Sequence, residues 1–150
     1  MDLILWRHAD AAYGAPDEER PLSQEGREQA AMMADWLKAR VSGDAKLFSS
    51  PLTRARQTAM AFGPGVEILT EAAPGASPYD LLSAVGWPGG KGVAIIVGHQ
   101  PDLGETAATI LTGGALPISI SKGSAWWFRS GFEGGRRQVR LVSVMVPDLL

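Results

Sequence analysis

The sequence predicts one α/β domain, a three-layer α/β/α sandwich spanning residues 1–150, with a mainly parallel sheet and antiparallel C-terminal strands. Three observations predict it. Short apolar runs alternate with segments of helical spacing along the first three quarters of the chain, the signature of βα units on a parallel sheet. The two strongest runs, Leu3-Ile4-Leu5-Trp6 and Val93-Ala94-Ile95-Ile96-Val97, are apolar at every position, as strands covered on both faces are. Near residue 117 the rhythm changes to strand-like segments separated by glycine-rich turns, as at an antiparallel sheet edge.

Element by element, Leu3–Trp6 is the first strand, and the polar stretch Asp10–Pro21 reads as an exposed loop over the sheet edge. Ser23 is placed to cap a helix running to about Arg40, with Ala30, Met33, Ala34, Leu37 and Val41 on one face, Glu25 in the first turn and Gly43 as the stop. Lys46–Ser49 is a second strand. A helix follows with Pro51 at its first position, where the missing N–H does no harm, and Gly63-Pro64-Gly65 ends it. Val66–Leu69 reads as a strand, Ala72–Ser77 as a loop, Pro78–Val85 as a short helix, and Val93–Val97 as the central strand. Asp102–Leu111 is a helix stopped by Gly113-Gly114. Strands are expected at Pro117–Ser121, Ala125–Arg129 and Gln138–Val146, the last two forming a hairpin across 131–137. Adjacent Trp126 and Trp127 point to opposite faces, one into the core and the other under a helix or free for docking, whereas Trp36 and Trp87 read as packing residues.

Composition narrows the function. With 14 basic and 16 acidic residues and no basic cluster larger than Arg136-Arg137, which reads as solvated, the footprint of a nucleic-acid binder is missing. The chain has no cysteine, which excludes disulfides, thiolate metal sites and a cysteine nucleophile, and suits the cytoplasm. The leading apolar run is four residues long without a basic lead-in, and no run approaches bilayer length, so neither a secretory signal nor a membrane association is expected.

Only two histidines occur, His8 and His99, and each directly follows one of the two strongest strands. Ligands in open α/β sheets bind beyond the carboxyl ends of the strands, so both imidazoles belong at one edge. The second strand delivers Ser50-Pro51-Leu52-Thr53-Arg54 to the same edge, placing Arg54 and Arg56 in the opening turns of a helix, where oxyanions are favoured. Arg7, beside His8, supplies a second bidentate donor in addition to Arg54. Two arginines and two histidines at one edge are the parts of a phosphoryl-transfer pocket. A neutral imidazole attacks phosphorus and carries the phosphoryl group, guanidinium groups bind the equatorial oxygens, and no metal or other cofactor is required.

These motifs carry a family resemblance. Leu5-Trp6-Arg7-His8-Ala9 resembles the Arg-His-Gly signature of the histidine phosphatase, or phosphoglycerate mutase-like, superfamily. Residues 49–59 are similar to its second arginine motif, Val97-Gly98-His99-Gln100-Pro101 to its second-histidine motif, and Arg20-Pro21-Leu22-Ser23-Gln24-Glu25-Gly26 to the segment leading into its first helix. The four occur in family order. The resemblance implies a phosphoglycerate mutase-like fold, His8 as the phosphorylated nucleophile, and Arg7, Arg54 and His99 as the phosphate-binding core. The short connection between Thr58 and Val93 is similar to that of the SixA-type branch. This implies a phosphatase for phosphohistidine on a signalling protein, such as a histidine-containing phosphotransfer domain. Ala9 departs from the family glycine, so the backbone there must accommodate a Cβ. Asp80, Glu71 and Asp10 are the candidate general acids, although nothing around Asp80 or Glu71 in the sequence distinguishes them from solvated carboxylates. The alternatives are a phosphatase for small phosphate esters on the same core and a non-catalytic module that binds phosphorylated ligands. A mutase is disfavoured, because little insertion exists to enclose a phosphosugar.

Overall fold

A computed structural model describes residues 1–150. Its six strands are β1 (Asp2–Arg7), β2 (Ala45–Ser49), β3 (Val66–Ile68), β4 (Val93–Gly98), β5 (Ala125–Glu133) and β6 (Arg136–Met145). Four helices accompany them: α1 (Gln24–Lys38), α2 (Thr53–Phe62), α3 (Pro78–Ala84) and α4 (Asp102–Thr112). The strands form one sheet in the order β3-β2-β4-β1-β5-β6. The four strands β3, β2, β4 and β1 are parallel, and β5 and β6 add antiparallel partners beyond β1.

Alternation along each strand divides the core between the two faces. Ile4, Trp6, Ile95, Val97 and Leu47 pack against Met33 and Leu37 of α1 and Ala55 and Ala59 of α2. Leu3, Leu5, Ala94, Ile96 and Phe128 pack against Leu81 and Leu82 of α3 and Leu103 and Ala107 of α4. This is why β1 and β4 are apolar without interruption. Ser23 caps α1 by accepting from the Gly26 N–H at 3.0 Å, and Gly113, at φ 79°, ends α4. The tryptophan pair divides as alternation requires. Trp127 is buried on the α1 face with its indole N–H donated to Asp2, and Trp126 is half-buried on the other face. Trp36 and Trp87 pack against the two cores.

Three local expectations are corrected. Pro51 lies in the turn before α2, which begins at Thr53 with Leu52 as its cap. Residues 117–121 form no strand: β1 already pairs with β5, and the carbonyls of Ile118 and Ile120 accept from the side chains of Gln100 and Arg7. The β5–β6 hairpin is tighter than 131–137, with Gly134 and Gly135 at φ 59° and 74° making the two-residue turn. Arg136 and Arg137 are exposed, as expected, and Arg137 also donates to Pro88 O and Ser130 Oγ and lies 4.6 Å over the Phe132 ring. No helix is long and apolar enough to cross a membrane.

Candidate active site

The carboxyl ends of β2, β4 and β1 lie side by side, and backbone bonds lock the residues that follow them. The His8 N–H donates to Gly98 O and the Ser50 N–H to Val97 O, each at 3.0 Å. His8, His99 and Ser50 therefore converge, with the imidazole centroids 5.1 Å apart. All three are buried.

One hydrogen bond decides the tautomer of His8. Its Nδ1 lies 2.7 Å from the carbonyl oxygen of Ala9. A carbonyl only accepts, so Nδ1 carries the proton and Nε2 keeps its lone pair. Burial is the main reason that the His8 pKa falls to about 4; Arg54, Arg7 and Lys122 push it in the same direction, against the Ala9 hydrogen bond. His99 falls to about 3 through burial, then through His8 and Arg54. Both rings are neutral at pH 7. The Nε2 of His99 lies 2.7 Å from Ser50 Oγ, which also accepts from the Leu52 N–H, while its Nδ1 has no partner within the chain.

The cations come from three elements. Arg54, in the first turn of α2, is 7% exposed. Arg7 donates from Nη1 to Ile120 O at 2.7 Å, and its buried Nε has no partner. Lys122 stands at the rim. A polar recess of about 470 Å³ opens beside Arg7, lined in part by Gln29, Ser121 and Lys122. Thr58 links two motifs by accepting from the Ala9 N–H at 3.1 Å and donating to Arg54 O at 2.8 Å. Gln57, in the same arginine motif, links it to the segment leading into α1 by accepting from the Leu22 N–H. Ala9 is buried with Leu22 and Ala30, so its Cβ has a place in the packing. Two glycines near the site have steric causes. A Cβ on Gly26 would collide with the Asp10 carbonyl, and one on Gly104 with the Ile118 carbonyl.

None of the candidate acids hydrogen-bonds to His8, His99, Arg7 or Arg54. Asp10 lies near His8, but it accepts from Lys122 at 2.7 Å and Ser23 at 2.7 Å, and these bonds hold its pKa below the usual carboxylate range. Asp80 is exposed in the first turn of α3, and exposed Glu71 accepts from its neighbour Thr70. Neither bonds to His8, Arg7, Arg54 or His99. Arg56 is exposed and takes no part in the cluster. No group of three or more histidine, aspartate or glutamate side chains is arranged to hold a metal ion. Asp17, Ser50, Thr58 and Lys122 were not singled out from the sequence as site residues. Ser50 and Thr58 lie within the second arginine motif, which was their only signal.

Residues 3–75 match the model of the histidine phosphatase superfamily (branch 1). The chain is 31% identical over 128 residues to the phosphohistidine phosphatase SixA of Escherichia coli, covering 79% of each protein. The chain belongs to the histidine phosphatase superfamily. It is also 35% identical over 142 residues to an uncharacterized protein of Picosynechococcus sp., covering 87% of this chain and 86% of that one. The protein histidine phosphatase SixA solved with tungstate superposes with a TM-score of 0.79 at 24% identity, covering 99% of both chains. The fold is thus the phosphoglycerate mutase-like sandwich, and the chain is a SixA homologue within a family of phosphatases.

Proposed function

We propose that this protein removes the phosphoryl group from phosphohistidine on a signalling protein, such as a histidine-containing phosphotransfer domain, through a covalent intermediate on His8 and without a metal ion. The observation that carries this reading is the state of His8: its Nδ1–H is fixed to the Ala9 carbonyl, its Nε2 lone pair is free, and its pKa of about 4 keeps the ring unprotonated at pH 7. Nε2 attacks phosphorus while the P–N bond to the substrate imidazole breaks, and the departing nitrogen takes a proton from solvent. Water then attacks the phosphoryl-His8, the P–Nε2 bond breaks, inorganic phosphate leaves, and the proton goes to solvent. Arg7 and Arg54 hold the equatorial oxygens throughout. His99 donates its Nδ1–H to one of them when Ser50 Oγ donates to its Nε2, which fixes that tautomer.

Two further features support a phosphoramidate substrate on a protein. Asp10 and Asp17 are held ionised by their cationic partners, and Asp80 and Glu71 make no hydrogen bond to the cluster, so no side chain is poised to protonate an alkoxide. A nitrogen leaving group needs that help less than an alkoxide does. Between α2 and β4 the chain forms only β3, a 3-10 turn and α3, with no inserted subdomain over the site.

The test is a panel of a phosphorylated histidine protein, p-nitrophenyl phosphate and small phosphate esters, each with and without EDTA. The highest kcat/KM is expected on the phosphohistidine protein, unchanged by EDTA. Faster turnover of an ester would move the substrate class to small phosphomonoesters, and complete, metal-reversible loss with EDTA would overturn the metal-free reading.

A further inference from the structure

Arg54 is buried, yet its guanidinium is already occupied. Nη1 donates to the main-chain oxygen of Asp17 at 2.8 Å, and Nη2 pairs with the Asp17 carboxylate at 3.2 Å. Asp17 itself is largely exposed, in the short 3-10 turn Asp17–Glu19 of the loop between β1 and α1. Arg20 holds that loop from behind, donating to Asp17 Oδ1 at 3.0 Å and to Ala12 O at 2.9 Å. An exposed carboxylate thus sits on a guanidinium that serves as an oxyanion receptor, with its negative charge also felt by His99. A carboxylate and a phosphoryl group present the same acceptor geometry to arginine.

We propose that Asp17 is a specificity-determining residue that competes with phosphate oxygens for Arg54, so that the loop weakens the hold of the site on free inorganic phosphate and hastens its release after hydrolysis. The inference rests on the reading of this cluster as a phosphoryl site. Phosphate must displace the carboxylate from Nη2 and then lie beside it, at an electrostatic disadvantage. After hydrolysis the carboxylate returns to Arg54 as phosphate departs. The main-chain contact from Asp17 O does not depend on the side chain, so substitution leaves the loop its anchor on Arg54.

Inorganic phosphate is the probe, titrated calorimetrically into the wild type, Asp17→Asn, Asp17→Ala and the charge control Glu18→Gln, with turnover of a phosphohistidine protein measured in parallel. Both Asp17 variants are expected to bind phosphate roughly three- to tenfold more tightly, the scale of an exposed ion pair lost together with a like charge beside a dianion. Glu18→Gln is expected to change binding less than twofold, on the same scale. Equal or weaker binding by the Asp17 variants, with the wild type binding phosphate and turning over substrate, overturns the proposal and makes Asp17 a support for Arg54. Tightening of the same size in Glu18→Gln also overturns it, since loop charge alone would then be responsible. Absence of phosphate binding and turnover in all four proteins removes the phosphoryl site, and this proposal with it.

Discussion

Mild acid should destabilise this protein through its two buried histidines. In the unfolded chain both imidazoles have an ordinary pKa near 6.5, whereas in the fold they sit at about 4 for His8 and about 3 for His99. The unfolded state therefore binds more protons between these values, so stability is full above about pH 6.5 and is lost as pH falls. Lowering the pH from 7 to 5 protonates the unfolded rings while the folded ones stay neutral. The cost is about 2 kcal/mol for each, or roughly 4 kcal/mol together. With a urea m-value near 2 kcal/mol/M the midpoint should drop by roughly 2 M. Asp2, Asp10 and Asp17 have depressed pKa values, and their stabilisation is lost only as pH falls below the ordinary carboxylate range. The window from pH 7 to 5 thus belongs to the histidines. Urea unfolding followed by circular dichroism at pH 7, 6 and 5 measures the slope. His8→Ala should halve the drop, and His8→Ala/His99→Ala should nearly abolish it. An acid-insensitive wild type, or a double variant with the full drop, would refute the buried neutral state of the two rings.

Three further outcomes are expected. Asp80→Asn should change turnover of both alkyl phosphates and phosphohistidine by less than about twofold; a loss near 10²–10⁴-fold confined to the esters would reveal a positioned proton donor and a different substrate class. Gly26→Ala should cost about 1–3 kcal/mol, because its Cβ meets the Asp10 carbonyl, and should lower the melting temperature by roughly 3–10 °C; an unchanged melt would show that α1 withdraws freely. Ser50→Ala leaves the His99 Nε2 without its partner and should reduce kcat about tenfold, with the His8 and His99 resonances shifted by NMR; unchanged kcat would mean that the Ser50 contact does not set the His99 tautomer.

The parts of this molecule that could be read along the chain are those governed by local pattern. Leu3–Trp6 and Val93–Val97 are continuous apolar runs because each is buried on both faces, and the rule that sites form at strand ends then places His8 and His99 at one edge. The C-terminal region was harder, because residues 117–121 have strand-like composition while both sides of β1 are taken by β4 and β5. Their carbonyls are used instead by Gln100 and Arg7, side chains distant in sequence. Asp17 and Lys122 were invisible for a similar reason. Each is an ordinary charged loop residue until the fold sets Asp17 on Arg54, 37 positions away, and Lys122 on Asp10, 112 positions away. Gly26 was legible as pattern but not as cause, since the carbonyl it makes room for comes from another segment.

The most direct test of the mechanism is to trap the phosphoryl group on the enzyme. Rapid quench into alkali, which preserves phosphohistidine, followed by peptide mass spectrometry should place a single phosphoryl group on His8 during turnover. Nitrogen-15 NMR of the trapped species should locate it on Nε2, because Nδ1–H is held by the Ala9 carbonyl. His8→Ala should show no phosphoryl peptide and no turnover while keeping a wild-type circular dichroism spectrum. Phosphorylation at His99, or turnover by His8→Ala near the wild-type rate, would contradict the account.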